Sequence, residues 1–141
     1  MKARVNWVED VMFVAESGSG HAVVIDGAPE GGGRNMGMRP MELVALGVAS
    51  CSSYDVVTIL RKARQKITRC EARVSAERAD AVPAVFEAIH MHFRVAGENL
   101  SEAQVARAIE LSAEKYCSAS IMLKKGGVKI THDYEIVNEV G

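Results

Sequence analysis

The sequence has little net charge. Its 17 basic and 18 acidic side chains leave −1 at neutral pH, so bulk electrostatics draws it neither to nucleic acid nor to an anionic membrane. The opening residues, MKARVNWVED, contain no apolar run of the kind a secretory leader needs. The expectation is a cytoplasmic protein. Cysteine is scarce. Three residues, an odd number, do not make a disulfide framework, and in a reducing compartment a cysteine pair is redox-active, metal-binding or merely buried. The glycine-rich segment 27–39, GAPEGGGRNMGMR, has no GK[ST] and is not a dinucleotide fingerprint. It is therefore read as a flexible loop rather than a phosphate cradle. Internal repeats and a domain boundary are also lacking. The 141 residues are read as one domain, residues 1–141, long enough to bury a core without staples.

What the chain does have is one long apolar stretch, residues 40–64, PMELVALGVASCSSYDVVTILRKAR. Leu43, Val44, Val48, Cys51, Val56, Ile59 and Leu60 recur at helical spacing. Pro40 suits a first helical turn. Glu42 lies early and Arg61, Lys62 and Arg64 late, each on the side the helix dipole favours. A helix apolar nearly all round is buried on most sides, within a domain or between subunits. Ser50, Cys51, Ser52, Ser53 and Asp55 interrupt the apolar run short of a membrane span.

Around this helix the pattern alternates. Strands are expected at 3–8, 12–17, 21–26, 69–78, 86–97 and 128–137, with a turn at Glu9–Asp10 and another at Ser17–Gly20. Ser101 stands three before Gln104, a capping box opening a second helix toward Lys115 and Tyr116. Residues 117–126 continue as a short helix after a bend. Strands in runs, with helices not interleaved one for one, predict an α+β fold with antiparallel sheets around a long central helix.

Chemistry concentrates in two thiols. Cys51 lies in ASCSS and Cys117 in CSAS, both among small residues in apolar helical segments. Cys70 alternates with alanine and valine as a plain core cysteine would. His90 and His92 share one face of a strand, and no third ligand is visible nearby. They are read as solvated or core-edge histidines. Met36, Met38 and Met41 cluster at the start of the long helix, suited to a flexible apolar pocket or to gap filling.

The segments RPMELVALGVASCSSYDVV and AEKYCSASIML resemble the two cysteine segments of the OsmC/Ohr family. Within it, the Pro-Met-Glu opening, the Cys-Ser…Asp-Val-Val helix and LSAEKYCS are similar to the YhfA-like branch. The resemblance covers nearly the whole chain. It implies an intertwined homodimer with its active sites at the subunit interface. It also implies a cytoplasmic thiol peroxidase of oxidative or osmotic stress, without metal or organic cofactor. The implied substrate is a small organic hydroperoxide and the reductant an external dithiol or dithiol protein, with neither nucleic acid nor membrane as partner. Cys51 would attack the peroxide and Cys117 resolve the sulfenic acid as a disulfide. In the peroxidases an early arginine, held by a glutamate directly after the helix-opening proline, activates the thiol. Here Met41 follows Pro40 and Glu42 comes one residue later, so Arg39 is taken as the substitute arginine. Asp55, one turn beyond Cys51, opposes thiolate formation. The alternative is a non-catalytic relative that binds a small apolar or thiol ligand at the dimer interface.

Overall fold

The computed structural model describes residues 1–137. The chain divides into two compact units, Met1–Val44 and Ala45–Gly141, and each is described by itself.

In the first unit β1 (Ala3–Glu9), β2 (Met12–Ser17) and β3 (Ala22–Ile25) form an antiparallel meander in the order β1-β2-β3. Trp7 stands opposite Phe13 and Val14 opposite Val24. The first turn falls at Asp10–Val11, one residue later than expected, with Asp10 at φ 47°. A short polar side chain tolerates that left-handed conformation.

The glycine-rich segment is not the unconstrained loop its composition suggested. The Asp26 carboxylate accepts backbone N–H bonds from Gly27 at 2.7 Å, Met36 at 3.1 Å and Arg34 at 3.2 Å. A 3-10 turn spans Pro29–Gly31. Gly33 lies so close to Gly27 that an added Cβ would sit 2.1 Å from the Gly27 carbonyl oxygen. Asp26 is also the one buried residue in Met1–Val44. All seven residues of β1 are exposed, so this unit has a sheet but hardly a core.

The long helix α1 (Pro40–Lys62) starts at a proline, with an acidic residue in its first turn. Glu42, at its third position, reaches back to the Arg39 backbone N–H at 3.0 Å, the return half of a capping box. The helix ends two residues before Arg64, which takes φ 58°. By length and composition α1 is apolar enough to cross a membrane, so the judgement that its polar residues cut the run short was too strict. Yet only Val48, Ala49, Ser52, Val56 and Leu60 are buried. Val44, Leu46 and Tyr54 are exposed. In the single chain one stripe of the helix is covered.

In the second unit β4 (Lys66–Arg78) and β5 (Phe86–Glu98) pair antiparallel along almost their whole length. Ile89, Met91, Phe93 and Val95 alternate inward and are buried. His90, His92 and Arg94 alternate outward, as the period of a strand requires. The core is completed by Val56 and Leu60 of α1 and by Val105, Ala108 and Ile109 of α2 (Glu102–Leu111). Ser101 caps α2, its hydroxyl accepting from the Gln104 N–H at 3.3 Å. This helix stops at Leu111, short of Lys115 and Tyr116. A π-helical turn, Ser112–Tyr116, follows, then α3 (Ser118–Lys125).

The last strand, β6 (Lys129–Ile136), joins β5 in parallel, with Ala88 opposite Lys129 and Val95 opposite Ile136. The sheets are therefore antiparallel except at this edge. The cause is the crossover through α2 and α3, which returns the chain to the starting end of β5. The architecture is α+β, two three-stranded sheets and three α-helices among the described residues.

Candidate functional site

The site lies where α1 meets the π turn and the start of α3. Cys51 and Asp55 are one helical turn apart on α1 and so share a face. Cys117 is the N-cap of α3, with extended backbone at φ −72° and ψ 99°. The preceding π turn closes with the Cys117 N–H donating to the Ser112 carbonyl at 2.8 Å. A π turn widens the helix by one residue and re-aims the side chain after it. Here it brings Cys117 to α1. The two sulfurs and one Asp55 carboxylate oxygen lie within 4.8 Å of one another, and both cysteines are free thiols.

Three serines surround the pair. Ser52 Oγ donates to Cys117 Sγ at 3.1 Å and lies 3.3 Å from Ser120 Oγ. The Ser120 backbone N–H points at the same sulfur at 3.4 Å. Ser112 Oγ has two acceptors in reach, the Ser52 carbonyl at 3.2 Å and Asp55 Oδ2 at 3.3 Å. Ser52, Ser112 and Ser120 are all buried. Ser52 stands in ASCSS, Ser120 in CSAS and Ser112 in LSAEKYCS; their roles as donors were not visible there.

These contacts divide the two thiols. Burial pushes the Cys117 thiol up, but the hydroxyls of Ser120 and Ser52, the Ser120 N–H and the neighbouring Cys51 outweigh it and hold the thiol below the ordinary cysteine value. Burial pushes the Cys51 thiol up. The Ala119 N–H pulls it down, but Cys117 and the Asp55 charge add to the rise. The proton thus leaves Cys117 more readily, while Cys51 is the more accessible sulfur. Cys117 is fully buried and Cys51 half-buried. Asp55 also lines a cleft of about 480 Å³ with Ile59, Lys62, Arg107, Leu111 and Tyr116.

The other residues singled out in the sequence have partners of their own. Arg39 and Glu42 are joined to each other, with 4.0 Å between Nε and Oε1. The Arg39 guanidinium also donates to Asn35 Oδ1 at 2.8 Å and the Gly37 carbonyl at 2.9 Å. All these partners are in the first unit. Met36 and Met38 line a shallow cleft there. Cys70 is half-buried, its thiol raised by burial alone. His90 and His92 are bound into a ladder on the outer sheet face. Asp133 Oδ1 lies 3.1 Å from His90 Nε2 and 2.7 Å from His92 Nδ1, and Glu135 bonds both His92 and Arg94. Among the described residues, the group whose ligand atoms gather closely enough for a metal ion is Cys51, Asp55 and Cys117.

Comparison with known proteins bears on this site. Residues 31–133 match the family described as OsmC-like protein. The chain is 47% identical over 140 residues to protein YhfA of Escherichia coli K12, covering 97% of this chain and 98% of that one. The fold is similar to an OsmC-like protein from Mycoplasma pneumoniae, with TM-score 0.81, 18% identity and 96% of each chain covered. It is also similar to the organic hydroperoxide resistance protein OhrB of Bacillus subtilis, with TM-score 0.62, 19% identity, and 96% of this chain and 98% of that one covered.

Proposed function

The chain belongs to the OsmC-like family, and from that premise we propose that it is a thiol-dependent peroxidase reducing organic hydroperoxides through Cys51 and Cys117. The observation that carries the proposal is the approach of two free thiols, one on α1 and one at the N-cap of α3, sulfurs within 4.8 Å. A disulfide needs the sulfurs at roughly 2.05 Å, so the pair has to close from this separation.

Cys51 is the sulfur that meets the substrate, because Cys117 is fully buried. The pair shares its protons, and the first to leave comes from the Cys117 side. When the Cys51 proton passes to Cys117, the Cys51 thiolate attacks the outer peroxide oxygen. The O–O bond breaks, the alkoxide takes a proton and leaves as the alcohol, and Cys51 becomes a sulfenic acid. Cys117 then attacks that sulfur, a disulfide forms and water departs. An external dithiol restores both thiols by exchange. Ile59 and Leu111 in the neighbouring cleft suit the organic part of the substrate. The bacillary OhrB is named for organic hydroperoxide resistance, in keeping with this chemistry.

A homodimer belongs to the same proposal. Val5, Trp7 and Val8 on β1 and Val44, Leu46 and Tyr54 on α1 are exposed in the single chain. Surfaces of this kind are covered in assemblies, and a second copy of the chain is the cover proposed. The compartment is the cytoplasm, where a dithiol reductant is at hand.

The test follows loss of cumene hydroperoxide with a dithiol for the parent and for Cys51→Ser. The parent is expected to consume peroxide and the variant to fall to background. Equal rates, or none above background, refute peroxidase action. Free thiols counted before and after one equivalent of peroxide test the pairing. Asp55 and the raised Cys51 thiol favour a second reading, a non-catalytic protein that binds a small apolar or thiol ligand. It is chosen if the peroxide test fails while a thiol ligand protects Cys51 from alkylation.

A further inference from the structure

We propose that Cys51, Cys117 and Asp55 form a site for a thiophilic divalent cation of the zinc type, held by the reduced pair and expelled when the pair is oxidised. The inference rests on the close approach of these three groups and goes beyond the peroxidase chemistry.

The geometry comes first. Two sulfurs and a carboxylate oxygen within 4.8 Å of one another compare with edges of about 3.8 Å and 3.6 Å in a tetrahedral zinc site, given Zn–S about 2.3 Å and Zn–O about 2.1 Å. The ligand atoms have to close by about 1 Å at most. The three groups are carried on helical elements, and they already have supports. Ser112 Oγ holds one Asp55 oxygen at 3.3 Å, and Ser52 Oγ and the Ser120 N–H hold Cys117 Sγ at 3.1 Å and 3.4 Å. Such outer partners orient ligands and tune them. Three protein ligands leave a fourth position for solvent.

The donor chemistry selects the ion. Thiolates are soft ligands and favour zinc over magnesium or calcium. Binding displaces a proton from each thiol, and the carboxylate enters already ionised. Two thiolates and a carboxylate in contact repel one another. A divalent cation reverses it, because a coordinated thiol is deprotonated outright.

Oxidation ends the binding. Two zinc-bound thiolates, a hydroperoxide and two protons give the disulfide, an alcohol, water and free Zn²⁺. The two electrons leave the sulfurs for the O–O bond, and both sulfur ligands are consumed in the S–S bond.

The experiment uses reduced, chelator-stripped full chain titrated with Zn²⁺ against a chromophoric chelator, and with Co²⁺ for its thiolate charge-transfer band. One ion per chain with that band is expected. After diamide oxidation to the disulfide, binding is expected to vanish. Cys70→Ser should bind as the parent does. Cys51→Ser and Asp55→Asn, shown folded by circular dichroism, should weaken binding at least about tenfold, the loss seen even for outer partners. No binding by the reduced parent overturns the proposal. So does equal binding by the oxidised chain, unchanged affinity in Asp55→Asn, or a pair that never closes under diamide. The parent's reduced-against-oxidised comparison needs no variant, so a misfolded one does not shelter the idea. A chain that consumes hydroperoxide yet binds no Zn²⁺ refutes the cation site alone; one that binds Zn²⁺ yet consumes none refutes the peroxidase alone.

Discussion

Replacing Ser52 by alanine isolates what holds the Cys117 thiolate. Ser52 Oγ donates to Cys117 Sγ at 3.1 Å, and the serine is 2% exposed, so water does not take its place. A hydrogen bond to a charged partner contributes about 1.5–3 kcal/mol. The Ser120 N–H at 3.4 Å and the Ser120 hydroxyl remain, so the lower end of that range applies. About 1.4 kcal/mol is a factor of ten. Ser52→Ala should therefore leave about tenfold less thiolate at a fixed pH below the first ionisation. The assay follows ultraviolet thiolate absorbance against pH in a Cys70→Ser background, so that the pair alone titrates. Its first macroscopic step should move to higher pH, and Ser52→Thr, which keeps the hydroxyl, should stay near the parent. Two coupled thiols titrate as a pair, so the first step, not either residue, is the quantity compared. A first step in Ser52→Ala that is unmoved, or that shifts to lower pH, refutes the donor role of Ser52.

Three further outcomes follow from the geometry. Asp55→Asn removes a charge that raises the Cys51 thiol, so alkylation of Cys51 at neutral pH should quicken; a slower rate than the parent's would place Asp55 in a different role. Phe93 is 1% exposed in the core of the second unit, and Phe93→Ala should cost about 3–5 kcal/mol in denaturant unfolding; a loss under about 1 kcal/mol would mean that the core is not where it is drawn. The N–H bonds from Met36 and Gly27, with the Arg34 N–H and charge, hold the Asp26 carboxyl below the usual range. Its contribution to stability is present above the unfolded value of about 3.9 and is lost as pH falls through the folded value. Asp26→Asn should flatten that acid limb in pH-dependent unfolding, and an unchanged limb would remove Asp26 from the account.

Local patterns were legible and distant ones were not. The period-two alternation of Ile89, Met91, Phe93 and Val95 against His90, His92 and Arg94 shows β5 and both its faces, because a strand imposes that period on its own residues. Ser101 and Gln104 announced α2 for the same reason: a cap acts over three residues. The direction of β6 had no such mark. Its sequence reads alike in either sense, and the crossover decides it. Asp26 looked like any aspartate before glycine, since its other two donors, Arg34 and Met36, come from farther along the loop it pins. Cys51 and Cys117 could be joined only through the family resemblance. What brings them together is the π turn at Ser112–Tyr116, and the capping-box start of α2 did not foretell where that helix would widen. Glu42 was weighed as an arginine holder; it pairs with the Arg39 guanidinium and also caps the Arg39 N–H.

The parallel seam between β5 and β6 sets an order of events. Every residue from Ala88 to Val95 waits for a neighbour between Lys129 and Ile136, and a gap of that size closes slowly. While the chain is being synthesised, one edge of β5 stays open until residue 136 has left the ribosome. During that interval its unpaired amides invite strands from other nascent chains. Ribosome-bound chains halted just before residue 129 should therefore depend on chaperones that released chains no longer need.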